Sequence, residues 1–151
     1  AANEAELASV LGHETGHIEG RHLLKQMRQT AITRGIATAA GLDRSTLAAI
    51  GVELALSRPN SRQDEYEADQ RGLRILTRAG YAPSAMVSFM EKLLKGGSLP
   101  TFLSTHPNTK DRIEALKRSI NSSSTSSSST NGTGLDSAAY KAKIQPLLSR
   151  S

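Results

Sequence analysis

The stretch Leu11-Gly12-His13-Glu14-Thr15-Gly16-His17 decides how this 151-residue sequence is interpreted. Two histidines four residues apart lie about 40° apart around an α-helix, so both rings can reach one ion. Glu14 lies roughly 100° from His13 around the same helix, at the border of such an ion, where its carboxylate can take a proton from water. The spacing therefore predicts a metal-binding helix with His13 and His17 as ligands and Glu14 as general base.

A catalytic zinc site needs a third protein ligand and one open position. The segment Glu65-Tyr66-Glu67-Ala68-Asp69 supplies the best candidates, because Glu65 and Asp69 share one face of a helix. We predict Glu65 as the third ligand of one Zn²⁺ per chain, and Asp69 as the acceptor that orients a ligand imidazole. The alternative for this segment is a solvated acidic helix start, which the helix dipole favours.

Apolar residues recur at helical spacing on both sides of the motif. Asn3 with Glu6 predicts a helix start, and Gly20 predicts a bend or break before a second helix. Further helices are predicted over 45–57, from Ser61 to Gly80, from Pro83 to Gly96, after Asn108 and over 135–148. Because no segment alternates like a strand, we expect a mainly α fold.

Composition narrows the function classes. The net charge is +5, but the basic residues are scattered among few aromatics, which argues against nucleic-acid binding. The absence of cysteine excludes disulfides, thiolate metal sites and a cysteine nucleophile. No stretch approaches the roughly 20 apolar residues that span a bilayer.

Three parts are expected along the chain. Residues 1–120 form the catalytic domain, residues 121–134 a flexible linker of Ser, Thr, Asn and Gly, and residues 135–151 a C-terminal amphipathic helix. The sequence starts at Ala1 without a signal-peptide pattern, and a helix begins almost at once. We therefore expect a further portion upstream.

The residues and the order of four sequence blocks resemble those of the gluzincin peptidases of the CAAX prenyl protease and HtpX-like type. These blocks are Asn3–Leu7, Leu11–His17, Ser61-Arg62 with Glu65–Asp69, and Thr105-His106-Pro107 with Arg112. The resemblance implies a helical zincin-like metallopeptidase domain whose substrate-binding strand precedes Ala1. It assigns zinc to His13, His17 and Glu65, the same ligands that the helix geometry predicts.

The resemblance also implies that His106 and Arg112 lie near the zinc cleft, where they stabilise the oxyanion or contact substrate. The alternatives are a loop histidine for His106 and a structural ion pair for Arg112. His22 lies about 140° from His17 on a continuous helix. We therefore expect it to be structural and not to bind the same metal.

The expected function is zinc-dependent endopeptidase activity on polypeptides, in protein quality control. Like the soluble branch of the family, whose bacterial members act in the periplasm, the protein is expected in the periplasm or cell envelope. One alternative is a metal-binding, chaperone-like module that uses the Ser-rich linker and last helix to engage a partner. Another is a latent peptidase whose open zinc position is blocked by His106 or the C-terminal segment.

Overall fold

The computed structural model describes residues 1–39, 61–96, 105–106, 110–124 and 132–148. Six α-helices lie within these ranges: α1 (Glu4–Glu19), α2 (His22–Ala39), α3 (Arg62–Arg78), α4 (Ser84–Gly96), α5 (Lys110–Ser124) and α6 (Ser137–Leu148). The described residues contain no strand, only an isolated parallel bridge between Tyr81 and Thr133. The predicted mainly α fold is confirmed, while the helix predicted over 45–57 lies outside the described residues.

Helix α1 starts and ends where local chemistry dictates. The Asn3 side chain accepts a hydrogen bond of 2.9 Å from the Glu6 backbone N–H, which satisfies a donor that the helix cannot pair. At the other end, Arg21 adopts a left-handed conformation with φ of 53° and interrupts the helix. Helix α2 then begins at His22, in agreement with the predicted break near Gly20.

Helices α1 and α3 pack against each other through glycine, so that their backbones nearly touch. A Cβ atom added to Gly16 would lie 2.6 Å from the Ala68 carbonyl oxygen, and one added to Gly72 would lie 2.9 Å from the His13 backbone nitrogen. Any side chain at these positions would force the helices apart. This close approach brings the histidine motif of α1 alongside the acidic motif of α3.

The aliphatic core continues along the same buried face of α3, where side chains of α4 and α5 meet it and Ala8 of α1 packs against it. Its buried members come from α3, α4 and α5: Leu73, Leu76, Met86, Met90, Ile113 and Leu116. Burial of such side chains stabilises the fold by about 1.5 to 3 kcal/mol each. The core thus anchors α3 next to its acidic motif.

Helix α2 contributes little to this core. It exposes several large apolar side chains along its length: Leu23, Leu24, Met27 and Ile32. Within the part of the chain that the structure describes, no helix combines the length and the apolar character that a membrane span requires.

Two described stretches overlap the linker predicted over 121–134. Helix α5 continues to Ser124, and the hydroxyls of Ser122 and Ser123 bond the Ser119 carbonyl within it. After the gap, Thr133 and Gly134 pair through their backbones with the turn before α4 and with α1, where the Ala5 N–H donates to Gly134 O at 2.9 Å. Main-chain pairing of this kind needs no apolar side chain, so composition does not reveal it.

Candidate metal centre

Three side chains from α1 and α3 meet in a largely buried cluster. The Nε2 atoms of His13 and His17 lie 3.1 Å apart. Glu65 faces both rings from α3, with Oε1 at 3.2 Å from His17 Nε2 and Oε2 at 3.5 Å from His13 Nε2. The structure therefore brings together the three predicted zinc ligands.

These separations fit a shared metal ion. A tetrahedral zinc ion with bonds of about 2.0 to 2.2 Å separates its ligand atoms by about 3.3 to 3.6 Å. The three observed separations lie at or slightly below that range. Glu65 is almost fully buried, so its carboxylate is presented to the two histidines away from bulk water. The donor set of two imidazoles and a carboxylate is one that zinc prefers.

Asp69 and Arg112 form a buried support behind His13. Asp69 Oδ1 lies 3.0 Å from His13 Nδ1, the ring nitrogen that faces away from the cluster. Arg112 donates to both Asp69 oxygens, from Nε and Nη2, at 2.7 Å each. Its Nη1 also lies 2.7 Å from Glu65 Oε2. The Arg112 side chain, only 5% exposed, is thus committed to carboxylates, which favours the structural ion pair over substrate contact.

The electrostatics of the metal-free cluster follow from these contacts. Burial lowers the pKa of His13, but Asp69 and Glu65 outweigh burial and raise this pKa to about 9. Burial raises the pKa of Glu65, yet hydrogen bonds with the three histidines and the charge of Arg112 bring it far below its usual range. Glu65 is therefore ionised at neutral pH, whereas His13 carries a proton that a metal ion must displace.

Glu14 lies at the open side of the cluster. Its side chain is 42% exposed, unlike the buried Glu65, and Oε1 lies 3.6 Å from His106 Nε2. An open groove of about 420 Å³ passes this position, and its apolar lining comes from Ile18, Leu23 and Leu24. Glu14 can therefore meet water and a substrate at the same edge as the histidines.

His106 enters the cluster itself. Its Nδ1 lies 3.2 Å from Glu65 Oε1 and 3.3 Å from His13 Nε2, the same spacing that the other ligand atoms keep. The groups that can hold one ion are thus four: His13, His17, Glu65 and His106. With a side chain only 12% exposed, His106 is close enough to the other three groups to act as a fourth ligand of the same ion.

Sequence reasoning missed the position of His22. Its Nδ1 lies 2.8 Å from His17 Nδ1, and the ring is almost fully buried. The expected separation of about 140° assumed one continuous helix, but α1 ends before Arg21 and the chain turns back. The available signal was Gly20, which marks the break.

Comparison with known proteins decides the family. The family model described as "Peptidase family M48" matches residues 1–120, which include every residue of the cluster. The chain belongs to peptidase family M48. This assignment agrees with the resemblance drawn from the motifs, and it implies a metal cofactor.

Curated proteins that the chain is similar to carry protease names. It is 34% identical to the Beta-barrel assembly-enhancing protease of Escherichia coli (strain K12), over 79% of this chain and 28% of that protein. It is 36% identical to the Mitochondrial metalloendopeptidase OMA1 of Arabidopsis thaliana, over 76% and 24%. It is 32% identical to the Metalloprotease YcaL of Escherichia coli (strain K12), over 78% and 50%. The chain thus spans about a quarter to a half of the length of these relatives.

Proposed function

We propose that this M48 protein is a zinc-dependent endopeptidase whose metal is held by His13, His17 and Glu65. The observation that carries the proposal is the convergence of their ligand atoms at 3.1 to 3.5 Å, beside the exposed carboxylate of Glu14. When bound, zinc would polarise the scissile carbonyl and make a water molecule acidic enough to lose a proton near neutral pH.

Glu14 is the proposed general base. Its carboxylate takes a proton from the attacking water and returns it to the leaving amine, so that one side chain serves both steps. Asp69 contributes indirectly, because an acceptor at His13 Nδ1 keeps the proton on that nitrogen and leaves the Nε2 lone pair for the metal. Arg112 holds Asp69 in this position.

The proposed substrate is a polypeptide, and protein quality control in the bacterial periplasm or cell envelope is the proposed setting. The groove beside Glu14 supports a polypeptide substrate, because its apolar lining suits side chains that a folded protein keeps buried. The setting rests on the bacterial relatives named assembly-enhancing proteases.

A latent form of the same enzyme is the second candidate. It is favoured by His106 Nδ1, which lies within 3.3 Å of two proposed ligand side chains, where a catalytic site keeps room for water. In this form His106 must move aside before substrate is cleaved. The two candidates share their metal ligands and differ in the effect of removing His106.

Substitution Glu14→Gln tests the proposed mechanism, because it keeps the shape of the side chain and removes its basicity. Cleavage of an unfolded protein such as casein is expected to fall about 10²- to 10⁴-fold while one zinc per chain remains bound. The control is Glu114→Gln on α5, an exposed carboxylate that pairs with Lys117 and is not a member of the cluster, which is expected to retain full activity. Unchanged cleavage by Glu14→Gln with zinc bound contradicts the role of Glu14.

Substitution His106→Ala separates the two candidates. Faster cleavage is expected if His106 blocks the fourth position, and slower cleavage if it stabilises the oxyanion. Zinc content is measured in parallel, so that a change in cleavage is not confused with loss of the metal.

A further inference from the structure

His22 contacts His17 at Nδ1, the ring nitrogen on the side away from the proposed zinc ion. The two Nδ1 atoms are 2.8 Å apart, a normal hydrogen-bond distance, and the His22 side chain is only 1% exposed. The rings meet at 82°, with centroids separated by 4.8 Å. At this distance one Nδ1 must carry the proton and the other must accept it, so the contact ties the tautomer of one ring to that of the other.

The turn between α1 and α2 is built to make this contact. Arg21 adopts a left-handed conformation, which non-glycine residues rarely adopt, and thereby swings His22 back toward His17. Gly20 makes room for the ring, because a Cβ atom there would lie 2.2 Å from His22 Nε2. An uninterrupted helix would place the two histidines on different faces.

The direction of the shared hydrogen bond follows from the metal site. If His17 binds zinc through Nε2, its proton is on Nδ1, which must donate to His22 Nδ1. His22 then carries its own proton on Nε2. Two carboxylate oxygens lie close to that nitrogen, Glu67 Oε2 at 3.3 Å and Asp64 Oδ1 at 3.6 Å. Neither contact is aligned as a hydrogen bond within the described residues, so the carboxylates favour the Nε2 proton by their charge.

We propose that His22 is a positioning residue, which holds His17 in the tautomer that leaves its Nε2 lone pair for zinc. The proposal rests on the proposed function of the site. His22 serves His17 as Asp69 serves His13, except that a second imidazole stands between the ligand and the carboxylates.

A second metal ion on His22 Nε2 is the competing interpretation, since His22, Asp64 and Glu67 lie close enough to share one. One consequence of the proposed zinc site and one observation oppose it. A metal on Nε2 would move the His22 proton to Nδ1, which would then donate to His17 and turn that ring away from its zinc-binding tautomer. Glu67 is also neutralised already, by Arg71 at 2.7 Å and by Lys25 at 3.4 Å.

Zinc affinity of the purified protein, measured by competition with a chromophoric chelator, tests the proposal. His22→Leu removes the acceptor and is expected to weaken zinc binding about 10- to 100-fold. His22→Asn keeps an oxygen where Nδ1 stands and is expected to recover most of that loss. Gly20→Ala, which displaces the ring without changing its chemistry, is expected to weaken binding in the same direction.

Each outcome bears on the proposal. Thermal unfolding of the zinc-free variants is measured alongside, because a purely structural role predicts lower stability for His22→Leu and His22→Asn alike with zinc affinity unchanged. That result overturns the proposal, as does a second zinc per chain that His22→Leu removes. If the unsubstituted protein binds no zinc, both this proposal and the proposed function fail, whereas normal affinity in His22→Leu overturns the positioning role alone.

Nitrogen-15 NMR of the histidine rings gives a readout independent of affinity. In the zinc-loaded protein the proton of His17 is expected on Nδ1 and that of His22 on Nε2. A proton on His22 Nδ1 would overturn the proposal even if zinc is bound.

Discussion

The substitution Gly16→Ala tests whether the close approach of α1 and α3 builds the metal site. The added Cβ would lie 2.6 Å from the Ala68 carbonyl oxygen, roughly 0.8 Å short of ordinary van der Waals contact. The helices must separate by much of that distance, because the added Cβ is fixed to the backbone of α1 and the oxygen belongs to the backbone of α3. Metal ligands tolerate displacements of only about 0.2 Å, and Glu65 lies one turn from Ala68.

Two effects are therefore expected from Gly16→Ala. Overpacking lowers the free energy of unfolding by about 1 to 3 kcal/mol, which lowers the melting temperature by about 2 to 4 °C for each kcal/mol. Zinc affinity falls by about tenfold or more, since His17 and Glu65 are drawn apart. Circular dichroism during heating measures the first effect, and chelator competition measures the second.

A glycine on α2 provides a control, because the same substitution is expected to change the free energy of unfolding in the opposite direction there. Alanine normally stabilises a helix interior relative to glycine by about 0.5 to 1 kcal/mol. Gly35→Ala is expected to do so, because no atom of the described residues lies within 4 Å of a Cβ built there. Gly12→Ala, with its nearest contact at 3.1 Å, is expected to give a milder loss than Gly16→Ala. A Gly16→Ala protein that is as stable as the parent and binds zinc normally would refute the packing account.

Two further predictions concern His13. Asp69→Asn is expected to weaken zinc binding about 10- to 100-fold in the chelator assay, because it removes the negative charge that faces His13 Nδ1; unchanged affinity would show that this acceptor is dispensable. Zinc uptake near pH 7 is expected to release the proton that the raised His13 pKa, about 9, retains in the metal-free state, so affinity rises with pH toward 9. Calorimetry in buffers of different ionisation enthalpy measures that proton, and its absence would contradict the charge state. The stability that protonated His13 gives the metal-free protein is complete below the unfolded pKa near 6.5 and is lost as pH rises through about 9.

Local periodicity accounts for what the sequence predicted well. The spacing of His13 and His17, and that of Glu65 and Asp69, depends only on the geometry of a single helix turn. The mainly helical fold followed from the same periodicity and is confirmed. The ligand roles stay predictions, although the structure brings the four side chains together.

Long-range geometry accounts for what the sequence did not reveal. Nothing local shows that Gly16 and Gly72 let two backbones meet, because a glycine inside a helix reads simply as a weak helix former. The pairing of Arg112 with Asp69 joins residues 43 positions apart, so the sequence left both substrate contact and a structural ion pair open. His22 was displaced from its expected face by one residue, Arg21, in a left-handed conformation.

The zinc content of the purified protein and of its Glu65→Gln variant, measured by mass spectrometry of the metal, tests the central claim most directly. Glu65→Gln preserves the size of the side chain but removes the only carboxylate charge that faces both histidines of the motif among the described residues. The account predicts one zinc per chain in the parent and in the Glu114→Gln control, with little or none retained by Glu65→Gln. A parent protein without zinc, or a Glu65→Gln protein with its full complement, would contradict the claim that His13, His17 and Glu65 hold the metal.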